Sequence, residues 1–296
     1  MAITLRQGCL SYVLKTTVVV LAALSPAIFA QSVSPPPSAV LGSGGIGPDV
    51  LGLRIGMSPA EARAIYNARF LVSDSMRRQN HENSKTLAFR LPGTDLRPVP
   101  DGTYFSRFGF DGRGGDGTAQ TFYVYFTAVP RSEQVVWILR RASFQATKQP
   151  TFGTFEKALL EKYGPPTYSP KGYPGLHYWF FNKDGTLKKT GSVGSDCVTF
   201  LATFESGRGD DWILTTPTQF TKLANDCGAI YLELGMGFAG VTYTGPDTIV
   251  QNYIMQIIGI EESIRASDST RAIIEKAMAA AGGEKIKAAK QQKPSL

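Results

Sequence analysis

Thr154–Pro166, TFEKALLEKYGPP, is the stretch on which the reading of the fold turns. Phe155, Ala158, Leu159 and Tyr163 recur at the three-and-four spacing of an amphipathic helix, while Glu156, Lys157, Glu161 and Lys162 fill the opposite face with balanced charge. Thr154 can cap the start. Gly164 stands where a left-handed terminating residue is wanted, and Pro165 and Pro166 supply no N–H with which to continue. A weaker counterpart lies upstream in Ser58–Phe70, SPAEARAIYNARF. There Ser58, Pro59 and Glu61 form a capping-box start, and Ile65 and Tyr66 point inward from a short helix over Ala60 to about Ala68. Phe70–Val72 reads as a brief strand and the polar run Asp74–Lys85 as an exposed loop.

Around these helices the apolar period changes from 3.6 to two. VLGLRIGM from Val50, then TLAFRL, TYFSRFGF, QTFYVYFTAV and QVVWILRRASF up to Phe144 are strand-like, separated by Gly-, Pro- and Asp-rich turns. In QTFYVYF the alternation sets Phe122, Val124 and Phe126 on one face and Tyr123 and Tyr125 on the other, so both faces are partly covered. Beyond the second helix LHYWFFN, CVTFLATFE, AIYLELGM and TIVQNYIMQIIG read as further strands, with TLKKTGSVGSD as a polar hairpin return. TPTQFTKLANDC reads as a short helix. DSTRAIIEKAMAAA, Asp268–Ala281, is a last helix that Gly282 and Gly283 should stop. The fold class expected is α+β: a largely antiparallel sheet in two lobes, 50–150 and 151–283, each backed by a short helix on the same side, with a C-terminal helix.

Residues 1–30 read as a secretory signal peptide, with Arg6 and Lys15 before the apolar run Thr16–Leu24 and small residues in Ser25–Ala30 for cleavage. The run is broken by Pro26 and falls short of the roughly 20 apolar residues of a membrane span, so no stable transmembrane segment is expected after cleavage. Cys9 precedes the apolar run, so it is not at a lipid-attachment position. Residues 31–49 read as a flexible Pro/Gly/Ser-rich linker, 50–283 as the folded body and 284–296 as a disordered lysine-rich tail.

The formal charge of +7 is unevenly spread. Arg6 and Lys15 leave with the signal, and the tail holds four lysines against Glu284, so the body carries only about +2. No basic groove is implied, so no nucleic-acid partner is expected. Cys197 and Cys227 are the two thiols left after signal removal, and an oxidising compartment favours a disulfide between them over a reactive thiol served by His177.

No nucleophile elbow, phosphate loop, dinucleotide fingerprint or zinc spacing is present, so no catalytic, cofactor or metal residue is assigned. His81 lies in a polar loop. His177 opens a strand beside Tyr178 and Trp179, where an edge-of-core histidine is the plainer reading than a general base. Asp111 and Asp116 in DGRGGDGT fail the calcium-loop pattern because Arg113 stands at a ligand position, and the Arg208–Asp210 tripeptide RGD reads as a turn. The functional signal is aromatic: Tyr104, Phe105, Phe108, Tyr123, Tyr125, Trp137, Tyr178 and Trp179 lie on strands, either as core or as a platform on an exposed face.

Residues 52–70, GLRIGMSPAEARAIYNARF, and 152–168, FGTFEKALLEKYGPPTY, each insert a capped helix among strands. Their GMSPAEA and KYGPP pieces resemble the start and end of the helical unit in outer-membrane assembly lipoproteins of the SmpA/OmlA type and in beta-lactamase-inhibitor-protein-like modules. The chain as a whole resembles exported proteins of Gram-negative bacteria. The resemblance implies a sheet packed on helices and a binding role; the lack of a lipidated cysteine and the greater length depart from the assembly lipoproteins and count against outer-membrane anchoring. The expected function is a non-enzymatic periplasmic or secreted protein that binds another envelope component through a sheet face. The alternative is a periplasmic hydrolase built on His177 or a carboxylate pair.

Overall fold

The structure is a computed structural model that describes residues 45–71, 82–90, 98–113, 118–199, 219–239 and 242–291. The expected signal peptide, most of the linker, His81, Asp116 and the RGD tripeptide lie outside the described residues.

The strands begin with β1 (Ile46–Val50), four residues before the expected start of the folded body at 50, and β1 folds back on β2 (Leu53–Ile55) in a two-stranded hairpin. The two turn residues, Leu51 and Gly52, both take positive φ, as a tight antiparallel hairpin requires, and Asp49 accepts the Gly52 N–H at 2.8 Å. Gly47 and Pro48 look like linker residues in the sequence; the pairing of Ile46 with Ile55 makes them strand.

Helix α1 (Pro59–Phe70) starts as its sequence says. Ser58 Oγ accepts the Glu61 N–H at 3.3 Å while Glu61 Oε2 accepts the Ser58 N–H at 2.8 Å, a complete capping box that holds the Glu61 carboxyl below its usual range. The helix runs on through Phe70, which overturns the brief strand expected to start there; Val72 lies outside the described residues. Phe70 is buried at 4.9 Å from the rings of both Phe110 and Phe122.

Strands β3 (Lys85–Arg90), β4 (Pro98–Arg113), β5 (Ala119–Phe126) and β6 (Val135–Ser143) form an antiparallel meander. The chain then crosses to α2 (Phe152–Tyr163), returns as β7 (Leu176–Phe181) at the far edge, and comes back inward through α3 (Gln219–Asp226), β8 (Ile230–Phe238) and β9 (Val250–Gly259). The sheet order is β3-β4-β5-β6-β9-β8-β7. The two helix-backed halves therefore meet at the antiparallel pair β6–β9, and their strands make one seven-stranded sheet.

Helix α2 is capped by Thr151, whose Oγ1 accepts the Thr154 N–H at 3.3 Å, so it begins earlier than a Thr154 cap would place it. Phe152 is pinned there by its own N–H to the Thr248 carbonyl. Gly164 ends the helix as expected, at φ 76° and ψ −175°, a conformation essentially reserved for glycine. Both α1 and α2 cover the same face, over Phe108, Phe122, Ile138, Trp179, Leu232 and Ile257. Tyr163 donates from its hydroxyl to the Asp49 carbonyl at 2.8 Å, tying α2 to the β1–β2 hairpin, and burial together with the Asp49 charge pushes its pKa up.

The opposite face is covered at one end by α4 (Ile260–Gln291), over Trp137, Phe180, Tyr231 and Ile258. This helix is longer than expected at both ends. It grows straight out of β9, with Ser263 Oγ donating to the Gly259 carbonyl, and it passes through Gly282 and Gly283 into the lysine-rich segment as far as Gln291. A glycine stops a helix by taking positive φ, and these two do not. The expected stop at 282 and the expected disorder from 284 are corrected over these residues.

The segment expected as the strand CVTFLATFE is helical at 195–199, its remainder lying outside the described residues. There Cys197 is disulfide-bonded to Cys227 with Cα atoms 5.7 Å apart, and both are buried. The β propensity of Val198 is overridden by packing against the cluster beneath α4.

Candidate functional site

The strand register sorts the eight aromatic residues singled out above. Phe108 and Trp179 face α1 and α2 and are fully buried. Tyr104 stacks on Phe89, with ring centroids 5.0 Å apart, and Tyr104, Trp137 and Tyr178 are buried in the second core. Phe105 packs half-buried against the first core, 5.3 Å from Phe126. Tyr123 and Tyr125 remain, both half-buried on the face that carries α4. The platform is therefore two rings wide rather than eight.

Tyr125 lies 4.2 Å from the Trp137 ring at an interplanar angle of 15°, so the buried Trp137 fixes its tilt. The Arg107 guanidinium sits 5.2 Å from the Tyr123 ring centroid and 5.9 Å from that of Tyr125. Tyr123 donates from its hydroxyl to Asp111 Oδ2 at 2.7 Å, and Thr121 Oγ1 donates to Asp111 Oδ1 at 2.7 Å. Burial and this bond to a carboxylate push the Tyr123 phenol up to about 12, so it stays a neutral donor at every physiological pH.

Cross-strand pairing extends this cluster over four strands. Asp111 opposes Thr121, Thr121 opposes Arg141, and Arg141 opposes Ile254. The next row toward the sheet end holds Arg113, Ala119, Ser143, Asn252 and Gly237. Between these two rows lies a shallow open depression of about 380 Å³. Ile254 is 42 % exposed there, an unusual value for isoleucine at the centre of a sheet. The chemistry available is hydrogen bonding by planar and hydroxyl side chains beside an apolar surface, with the cations Arg141 and Arg113 in the two rows.

His177 belongs to a separate cluster under α2. Its Nδ1 lies 2.8 Å from Ser169 Oγ, and its Nε2 lies 3.8 Å from Glu156 Oε1 without a hydrogen-bond partner. The ring is 7 % exposed, and burial holds its pKa below 6.5 while burial raises that of Glu156. The neutral folded imidazole resists the proton that an unfolded chain takes up as the pH falls through about 6.5, so His177 costs the folded state stability on acidification. Glu156, raised, works in the opposite sense nearer its own lower range. Wild-type protein is expected to lose more thermal stability than His177→Gln between about pH 7.5 and pH 5.5; equal losses would show that His177 does not titrate in this window.

Sequence reasoning passed over Arg141, Ser169, Glu156, Asn252 and Ile254. One signal was present: Arg140 and Arg141 are adjacent on a strand and must face opposite sides. Arg140 lies under the helices, 5.4 Å from the Tyr253 ring, and Arg141 lies on the open face. No signal joined Ser169 and Glu156 to His177, because they sit on a loop and on α2 and meet only through tertiary packing.

By its fold the chain is an α+β protein in which an antiparallel sheet carries two short helices on one face and a long C-terminal helix on part of the other. Among the described residues no group of His, Cys, Asp and Glu could hold a metal ion, and no helix is long and apolar enough to cross a membrane. No family model, no curated protein and no solved structure matches the chain.

Proposed function

We propose that the chain is a non-enzymatic exported protein, periplasmic or secreted, that binds another envelope component through the rows of its sheet left uncovered by α4. The observation that carries this reading is the exposure of Ile254 beside Arg141 and the half-exposed Tyr123 and Tyr125, on a sheet face whose other end is sealed. An apolar side chain in the middle of a sheet, ringed by hydrogen-bonding groups, is the composition of a recognition surface. A disulfide-bonded fold agrees with export, and so do the signal-like residues 1–30.

A photo-crosslinking residue placed at Ile254 tests the reading in intact cells, against the same residue at the exposed Glu161 on the outer side of α2. Discrete adducts from position 254 and none from position 161 are expected. Identical patterns from both positions, or none from 254, would remove the sheet face as the binding surface.

The hydrolase alternative draws on the Ser169–His177 contact. Pro170 weakens it, since the residue after the serine then has no N–H to offer a developing oxyanion. The gap between Nε2 and Glu156 weakens it further, because the imidazole has no carboxylate hydrogen-bonded to the nitrogen opposite the serine. Labelling of Ser169 by a fluorophosphonate, abolished in His177→Ala, would favour the hydrolase over the binding reading.

A further inference from the structure

We infer that the outer side of α4 between Glu275 and Lys290 is a self-association surface, on which the same helix of a second copy of this chain packs antiparallel. The inference is independent of the sheet face described above. Met278 is 47 % exposed and Ile286 is 60 % exposed, and these are the large apolar side chains that α4 leaves in water. They are eight residues apart with Gly282 midway, and intervals of four keep all three on one side of a helix. Ala277 and Ala281, each one position earlier, pack with Ile273 and Ile274 against the second core, so the Met278 side is turned away from the sheet. Past Ala281 the helix loses that support. A Cβ on Gly282 or Gly283 would meet nothing within 4 Å, and residues 282–288 are all exposed. A helical end that carries two glycines and no packed face is poorly held by its own propensity. A second helix laid along the Met278 side supplies the packing that this end lacks.

The order of residues along this side selects the occupant. With Gly282 of each copy on a shared two-fold axis, Met278 falls opposite Ile286 of the second copy, and Ile286 opposite its Met278. Gly282 then opposes itself, where the absence of side chains lets the helix axes approach more closely than the roughly 8–10 Å of ordinary helix pairs. The charges agree with this register. Lys290 comes level with Ile274 of the second copy, one residue from its Glu275, and symmetry forms that ion pair twice. Among the described residues neither Glu275 nor Lys290 makes an ion pair or a hydrogen bond within its own chain. A parallel pair would set Glu275 against Glu275 instead. Lys285, Lys287 and Lys290 could also draw the helix to an anionic lipid surface, but Glu275 lies between Met278 and Ile286 around the helix and would be pressed against the lipid. The body of each copy sits on the inner side of its own helix and at the opposite end of the pair, so neither obstructs the other. The overlap is roughly 24 Å long at about 1.5 Å per residue, which buries less than the standard interface of about 1,600 Å² and sets the dimer in the micromolar range.

The test is sedimentation equilibrium of the full exported chain over a concentration series from micromolar to about 500 μM, where a reversible monomer–dimer equilibrium is expected. Ile286→Glu should weaken the dimer about tenfold or more. Gly282→Leu should do the same, although leucine meets no atom of its own chain there and favours the helix, so this variant separates close approach from folding. Glu275→Lys and Lys290→Glu should each weaken association severalfold, and the two combined in one chain should restore it. Under mild oxidation Gly282→Cys should crosslink to its own copy. Met278→Cys alone should not, while a mixture of Met278→Cys and Ile286→Cys chains should. A chain that stays monomeric throughout, a dimer that survives both Gly282→Leu and Ile286→Glu, or crosslinking of Met278→Cys alone as fast as Gly282→Cys would each overturn the proposal. So would binding of a monomeric chain to phosphatidylglycerol vesicles, which would assign this side of α4 to a lipid surface.

Discussion

Leu159→Asp is expected to abolish cooperative folding of the body. Leu159 is 6 % exposed on the inner face of α2, in the core that also holds Tyr163, Trp179 and Leu232. Removing a buried leucine side chain costs about 2–5 kcal/mol through lost transfer energy and residual cavity. Aspartate adds the penalty of a polar group that finds no partner there, several kcal/mol in an apolar site whether it is ionised or protonated. Total stabilities of domains run at about 5–15 kcal/mol, so one substitution of this kind consumes most of the margin. The loss should be complete rather than local, because α2 covers one half of the sheet and that half joins the other through β6–β9. Near-ultraviolet circular dichroism of this aromatic-rich core, followed through a urea titration, reads the outcome. A sigmoidal transition at the wild-type midpoint would show that α2 does not cover the core.

Breaking the disulfide is the second large effect. Cys197 and Cys227 are separated by 30 positions, and closing a loop of that length restricts the unfolded chain by about 3–4 kcal/mol on the chain-entropy account. The bond also joins the helical turn at 195–199 to the entry of β8, just beyond α3, beneath which Phe180 and Tyr231 are buried. Paired Cys197→Ala and Cys227→Ala substitutions, or reduction of the wild type, should lower the unfolding free energy by this amount and the denaturation midpoint with it. The doubly substituted chain should no longer respond to reductant. An unchanged midpoint on reduction would mean that the bond contributes nothing to stability.

The two short helices were legible because their signals are local. Ser58, Pro59 and Glu61 act on groups within one turn of themselves, and Gly164 with Pro165 and Pro166 acts on the turn just before it. The alternation in β5 was legible for the same reason, since the direction of successive side chains is a property of one strand. The turn at Leu51 and Gly52 was not, because it needs a leucine at positive φ, which local preference disfavours and pairing of Val50 with Leu53 imposes. The terminating glycines of α4 misled in the opposite direction. Gly282 and Gly283 permit a stop without compelling one, and Glu284, Lys285 and Ala288 are good helix formers beyond them. The candidate site was legible only in outline: the tyrosines of β5 could be assigned a face, yet which of that face's residues α4 would cover depended on a contact from the other end of the chain.

The amino-acid sequence by itself determined the elements of this protein: an antiparallel set of strands, two capped helices, and a pairing of Cys197 with Cys227 that needed no fold to be named. These follow from interactions between residues a few positions apart, or, for the disulfide, from reading Cys9 as part of an expected signal peptide, which leaves Cys197 and Cys227 to join. The tertiary structure alone decided that β7 goes to the far edge and β9 returns to β6, that Phe108 and Trp179 are core while Ile254 and Arg141 are surface, and that Ser169 and Glu156 meet at His177. Each of these depends on which apolar faces cover one another. Hydrophobic burial is non-directional and blind to sequence separation, so local pattern does not encode it.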